Sequence, residues 1–239
     1  VRVISIDPRR TETCANIGAE WIPIVPGTDT ALVAALAHEL IKNDLVDIDF
    51  LHTYVVGFDE ATMPEDARGK NLSYYDYVMG TGYDHVEKTP AWASAITRIP
   101  AERITALAKE IGQAKPCFIC QGLGMQRHAN GDNASRAVMA LALMVGQVGR
   151  PGTTSGGTIG NGSIGLKSLP TGDNPVKTKI PQFLWPEAIR DGAKLTATHD
   201  GIQGADALKT GIKFLVNYGN NMMANQNADI NTTTDVLRD

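Results

Sequence analysis

The chain has 239 residues, 43% hydrophobic and 20% charged, which is apolar material for one large globular domain or two small ones. Lys plus Arg number 22 against 26 Asp plus Glu, and the net charge of −4 excludes the basic footprint of a nucleic-acid binder. No run approaches the roughly 20 apolar residues of a membrane span, and Cys14, Cys117 and Cys120 are too few for a disulfide framework.

The chain opens in a β-branched run with no initiator Met and no basic leader, so it reads as a soluble internal piece whose targeting signal lies elsewhere. Residues 1–6 predict a buried strand, stopped by Asp7-Pro8. A short helix over 11–17 and a strand over 21–25 follow. Pro26-Gly27-Thr28-Asp29 then turns the chain into a helix in which Leu32, Leu36 and Leu40 repeat at i+4 as a core-facing stripe. An acidic cap at 47–49 opens another helix through Leu51, Tyr54 and Val55, and residues 57–88, with Tyr74, Tyr75 and Tyr77, read as irregular surface loop. Pro100-Ala101 starts an amphipathic helix carrying Ile104, Leu107 and Ile111. It returns to a strand at 117–121, whose Cys117 and Cys120 read as structural thiols of a buried strand. A glycine turn leads into a long helix over about 133–148.

Eight glycines fall within 149–172, marking a boundary or a ligand-wrapping loop. Beyond it, residues 213–216 read as an apolar strand, and a helix starts near Asp229. Alternating strands and helices predict an α/β fold: a three-layer sandwich around a mainly parallel sheet, resembling a dinucleotide-binding domain, over 1–150, with part of a second α/β unit within 151–239. Ligands of such sheets bind at the carboxyl ends of the strands.

Five segments carry polar groups at such ends. In Asp7-Pro8-Arg9 the carboxylate can accept from a ribose or a guanine edge, or serve only the turn. In Gly27-Thr28-Asp29 the carboxylate can receive guanine N1 and N2, or Thr28 and Asp29 can cap the helix. Gln121-Gly122-Leu123-Gly124-Met125-Gln126-Arg127-His128-Ala129-Asn130-Gly131 strips side chains from a strand-to-helix turn, and Arg127 adds a guanidinium fork; it is not a GxGxxG fingerprint, which counts against a nicotinamide nucleotide. The Gly156-Gly157 loop and the amide-rich stretch 217–226, with Asn217, Asn221 and Gln226, complete the set; amides at a strand terminus suit a heterocycle with many donors and acceptors. His38, His52, His85, His128 and His199 have no metal-ligand spacing.

Taken in order, these motifs resemble the middle of the catalytic subunits of the dimethyl sulfoxide reductase family of molybdopterin oxidoreductases. The resemblance rests on Val3 and Ile6-Asp7-Pro8-Arg9 with Thr11, Trp21-Ile22-Pro23-Ile24 before Pro26-Gly27-Thr28-Asp29, Gln121-Gly122 through Asn130-Gly131, Asp173-Asn174-Pro175-Val176-Lys177-Thr178, and Asn217-Tyr218 with Asn225-Gln226. It implies a bis(molybdopterin guanine dinucleotide) molybdenum cofactor. Asp7, Pro8, Arg9, Gly27, Thr28 and Asp29 would hold one guanosine end; Gly122, Gly124, Met125 and Arg127 would lie near the pterin; Asn217, Asn221 and Gln226 would contact the other half. It further implies reduction of S-oxides or N-oxides by oxygen-atom transfer, with two protons and two electrons carrying the oxygen away as water. The 4Fe-4S cysteines and the molybdenum ligand are expected outside these residues. So are an iron–sulfur electron-transfer subunit, a membrane-anchor subunit and a periplasmic or membrane-associated setting. Two alternatives are a non-catalytic structural or electron-transfer relative of the same family and an unrelated nucleotide-binding module; no catalytic residue or metal ligand is assigned within the chain.

Overall fold

A computed structural model describes residues 1–158, 169–170, 172–219, 221–225, 227 and 229–238, in two compact units, Val1–Gly162 and Ser163–Asp239. In the first unit β1 (Ile4–Ile6) and β2 (Glu20–Ile22) pair in parallel, with Ile4 opposite Glu20 and Ile6 opposite Ile22. The connection is α1 (Glu12–Asn16), capped by Thr11, whose hydroxyl accepts from Cys14 N at 3.1 Å. Both strands are shorter than the sequence pattern suggests, and β1 is half-buried rather than buried, since Val3 and Ile6 are exposed.

Six helices follow in this unit: α2 (Asp29–Lys42), α3 (Ile48–Tyr54), α4 (Tyr74–Met79), α5 (Pro90–Thr97), α6 (Ala101–Gln113) and α7 (Gly131–Met144). Helix α2 is the centre of the core. Leu32, Leu36 and Leu40 are buried as their spacing requires, but so are Val33, Ala34, Ala35 and Ala37, because α5, α6 and α7 all pack on it. A helix covered on several sides loses its polar stripe. The expected one-sided stripe is therefore nearly all-round burial.

An ion network ties the strands to α6. Glu20 Oε1 accepts from Arg103 Nε at 2.9 Å and Nη2 at 2.6 Å, and Glu20 Oε2 from Arg2 Nη2 at 2.6 Å. Arg103 Nη1 in turn donates to Glu110 at 3.0 Å. Partial burial pushes the Glu20 carboxyl up, and the two guanidiniums outweigh it and hold the group below its ordinary range.

Residues 57–88 are not simply surface loop. Ser73 and Asp76 form a reciprocal cap that opens α4, and Lys88, almost fully buried, donates to Asp84 and Tyr77 O and lies 4.2 Å over the Tyr77 ring. These partners are distant in sequence spacing from any periodic apolar pattern, so hydropathy does not announce them. Helix α5 was also legible only from Thr89-Pro90, a cap followed by proline at the first helical position.

The expected strand at 117–121 is a correction. Only Gln121 bridges, in parallel to Thr158, while Phe118 is 55% exposed and Cys120 is exposed. Apolar, β-branched composition supplies strand propensity but not a neighbour to hydrogen-bond, and a strand needs both. The buried-strand reading of both thiols fails with it: Cys117 alone is half-buried, which pushes its thiol up.

The second unit holds α8 (Trp185–Arg190), α9 (Ala197–Asp200), α10 (Met222–Asn225) and α11 (Ile230–Arg238) around a small core of Ala188, Leu195 and Ile202. The start of α11 agrees with the helix expected near Asp229. Residues 213–216 form no strand; Phe214 and Val216 are 84% and 71% exposed. The described chain is thus α/β, with many helices and a small parallel sheet of two strands.

Candidate functional site

Asp7 directly follows β1, and the turn 23–28 follows β2, so the first two suspected segments lie beside each other at the carboxyl ends of paired parallel strands. Asp7 N donates to Ile22 O at 3.2 Å, which fixes that relation. The Asp7 backbone oxygen accepts from Trp21 Nε1 at 2.8 Å, and Oδ1 accepts from Arg9 N at 2.8 Å. One carboxylate oxygen is therefore spent on the local turn. Pro8 and Arg9 are exposed.

At the second segment the helix-cap alternative is only half realised. Thr28 stands at the cap position, but its hydroxyl donates back to Val25 O at 2.7 Å and accepts no helix N–H. Asp29 is the first residue of α2, where its charge favours the helix dipole by about 0.3–1 kcal/mol. No donor among the described residues engages the Asp29 carboxylate, so its acceptor capacity remains for a ligand. Gly27 has φ +77, and a side chain there would meet nothing within 4 Å. Backbone and carboxylate together form an open, acceptor-bearing edge.

The third segment is held at its two ends, Gln121 and Gly131. Gln121 is 6% exposed and its Nε2 donates to Gly156 O at 2.8 Å and Ser135 O at 3.2 Å, pinning the glycine turn to α7 and to the second glycine loop. Its Oε1 is buried without a partner. Gly131 closes the loop: a Cβ there would lie 2.2 Å from Gln126 O. Between these anchors Gly122 and Gly124 face open space, Arg127 is exposed with no acidic partner among the described residues, and Met125 packs against the main core. Helix α7 begins after Asn130 without a side-chain cap. The turn can therefore present backbone N–H groups and one guanidinium to an anionic or heterocyclic group. Both ends lie within the motif, but the anchoring role of Gln121 shows only in its contacts with Gly156 and Ser135, and that of Gly131 only in its close approach to Gln126.

In the second unit Asn217 and Asn221 are exposed; Asn221 Oδ1 accepts from Ala224 N at 3.2 Å and starts α10, while Gln226 lies outside the described residues. His38 lies between Glu39 at 3.1 Å and Glu87 at 2.8 Å, and His52 pairs with Asp59 at 2.7 Å. Among the described residues no group of three His, Cys, Asp or Glu side chains could hold a metal ion, and no helix is long and apolar enough to cross a membrane.

The model of the molybdopterin oxidoreductase family matches residues 1–239, and the chain belongs to that family. It is 51% identical over 238 residues to the dimethyl sulfoxide reductase DmsA of Haemophilus influenzae and 49% identical to DmsA of Escherichia coli K12, in each case 100% of this chain and 29% of the relative. The dimethyl sulfoxide/trimethylamine N-oxide reductase of Rhodobacter capsulatus is 35% identical over 191 residues, 77% of this chain and 21% of that protein. Among solved structures, acetylene hydratase from Pelobacter acetylenicus aligns with a TM-score of 0.48 and 25% identity over 63% of this chain and 18% of that one. The chain thus spans about 29% of the length of the curated relatives it matches.

Proposed function

We propose that this chain is the cofactor-cradling part of a molybdenum oxidoreductase that reduces S-oxides or N-oxides. The observation that carries the reading is the pairing of β1 with β2, which sets Asp7 beside the Gly27-Thr28-Asp29 turn in a chain matched end to end by one family. The cofactor is bis(molybdopterin guanine dinucleotide) molybdenum, and when bound it supplies the two-electron oxygen-atom chemistry. The residues present fit it. The unengaged Asp29 carboxylate accepts the N1 and N2 donors of guanine, and the second Asp7 oxygen, with Pro8 and Arg9 in the same turn, lies against the guanosine end. Gly27, Gly122 and Gly124 leave room for a planar group to lie on the backbone. Arg127 offers its fork to a phosphate or pterin oxygen, and Met125 backs the turn. Asn217, Asn221 and Gln226 take the other half of the cofactor, as part of a second α/β unit within 151–239, and residues 1–150 complete a three-layer sandwich with sheet neighbours beyond this chain.

The substrate is a small S-oxide or N-oxide, in line with the names of the relatives. The 4Fe-4S cluster, the iron–sulfur and membrane-anchor subunits and the periplasmic setting belong to the longer protein of which this is a piece. Membership of the family sets aside the unrelated nucleotide-binding module. The carboxylates of Asp7 and Asp29 beside one another after β1 and β2, with the exposed guanidinium of Arg127, count against a merely structural relative. Full-length protein is expected to oxidise a reduced viologen dye with dimethyl sulfoxide or trimethylamine N-oxide, whereas the 239-residue chain alone binds no molybdenum and turns over neither. Inactivity of a molybdenum-replete full-length protein toward both oxides contradicts the reading.

A further inference from the structure

Of the segment Trp21-Ile22-Pro23-Ile24, Ile22 and Ile24 enter the main apolar cluster, whereas Trp21 is half-buried and stays out of it. Trp92, by contrast, packs against that cluster. A large aromatic ring left beside a core owes its place to something other than apolar packing alone. The described polar contact of Trp21 is the Asp7 carbonyl, 2.8 Å from Nε1, across the end of the parallel pair. An indole has a single N–H and accepts nothing, so this bond uses all its hydrogen-bonding capacity.

Asp7 takes its direction from two peptide planes, because a residue has only two soft dihedrals. The plane before it is fixed by Asp7 N donating to Ile22 O at 3.2 Å. The plane after it runs into Pro8, which has no N–H, so the Asp7 carbonyl is the one backbone group there that can be held. Among the described residues, Trp21 alone holds it. Standing before a proline confines ψ to an extended range but leaves about 40° within it. That freedom matters because Arg9 N, two residues on, donates to Asp7 Oδ1 at 2.8 Å and so sets the rotation of the carboxylate. Once the carbonyl is released, the 7–9 turn can swing, and the second carboxylate oxygen, Oδ2, swings with it.

We propose that Trp21 is a positioning residue for the guanosine end of the cofactor: its N–H locks the peptide plane after Asp7 and thereby holds Oδ2 in one direction. Trp21 has this role only if the strand ends hold guanosine, as proposed above. In the test, loaded full-length protein is placed in dilute urea and followed for first-order release of molybdenum and guanine nucleotide. Two replacements remove the N–H: Trp21→Phe, and the benzothienyl isostere of tryptophan at that position, in which sulfur takes the place of the N–H and the ring packing is kept. Each is expected to speed release about two- to tenfold, the worth of one neutral hydrogen bond. Neither should speed it further in an Asp7→Asn background, because nothing is left to aim; a ring that merely packs would multiply with Asp7→Asn. Where Trp21→Phe fails to fold, the isostere decides. The proposal is overturned if Asp7→Asn speeds release and the isostere does not, or if the isostere retains its full effect on top of Asp7→Asn. If Asp7→Asn itself leaves release unchanged, the strand-end reading fails and the role of Trp21 falls with it.

Discussion

The two units bury their apolar residues very differently. In the first, α2 sits inside a continuous cluster that runs from Ile22 and Ile24 of the strand ends through Leu36, Leu40 and Ile104 to Leu141 and Met144. Among the described residues of the second, Ala188, Leu195 and Ile202 form a small cluster, Trp185, Met222 and Val236 are buried apart from it, and Phe183, Phe214 and Tyr218 are exposed. Because each buried apolar side chain contributes about 1.5–3 kcal/mol, the first unit has the larger source of stability among the described residues. Asp7 and Asp29 thus belong to the unit with the larger described core, and Asn217 and Asn221 to the unit with the smaller one.

The contrast can be broken most directly by cavity mutations. Leu40→Ala, at a fully enclosed position, is expected to cost about 3–5 kcal/mol, against about 2 kcal/mol or less for Leu195→Ala, read as shifts in denaturant midpoint; equal losses would contradict the comparison. Within the first unit, Gly131→Ala forces a methyl onto Gln126 O and is expected to cost about 1–3 kcal/mol. Gly122→Ala, facing open space, should stay within about 0.5 kcal/mol while lowering the molybdenum content of the full-length protein. Hydrogen exchange sharpens the same contrast at smaller energies, since the amides of 213–216 should exchange orders of magnitude faster than those of Leu36 and Ala37.

The smallest effect is on pH. Glu20, held below its ordinary value of 4.5, binds protons less readily folded than unfolded, so its share of stability is complete above pH 4.5 and disappears as pH falls through its lower folded value. Because the pair is partly exposed, that share is under about 1 kcal/mol. Glu20→Gln should flatten the acid limb of the stability profile of the first unit. An unchanged limb would show that Arg2 and Arg103 contribute nothing there.

Much of the first unit was legible because its elements are local. A proline and an aspartate stop β1, Thr11 caps α1, and the i+4 leucines mark α2. What escaped depends on tertiary packing that no apolar period announces. Lys88 is buried among Asp84, Tyr77 and Trp92, and the 117–121 and 213–216 runs look like strands although no described neighbour pairs with them beyond the Gln121–Thr158 bridge. The candidate edge divides in the same way: Asp7 and Asp29 follow from strand-end position, whereas Gln121 and Gly131 matter through contacts with Gly156 and Gln126 that no spacing encodes.

The central claim is that carboxylates after β1 and β2 hold the guanine end of the cofactor. It is tested most directly by the molybdenum and acid-released guanine nucleotide per mole of full-length protein carrying Asp29→Asn, alone and with Asp7→Asn, with Asp44→Asn, just past the other end of α2, as the control. Loss of a charge-assisted hydrogen bond, about 1.5–3 kcal/mol, predicts a fall of roughly tenfold or more in cofactor affinity for the strand-end variants, seen as a depleted molybdenum and guanine content, with the control unchanged. Wild-type stoichiometry of both in a folded double variant would contradict the account.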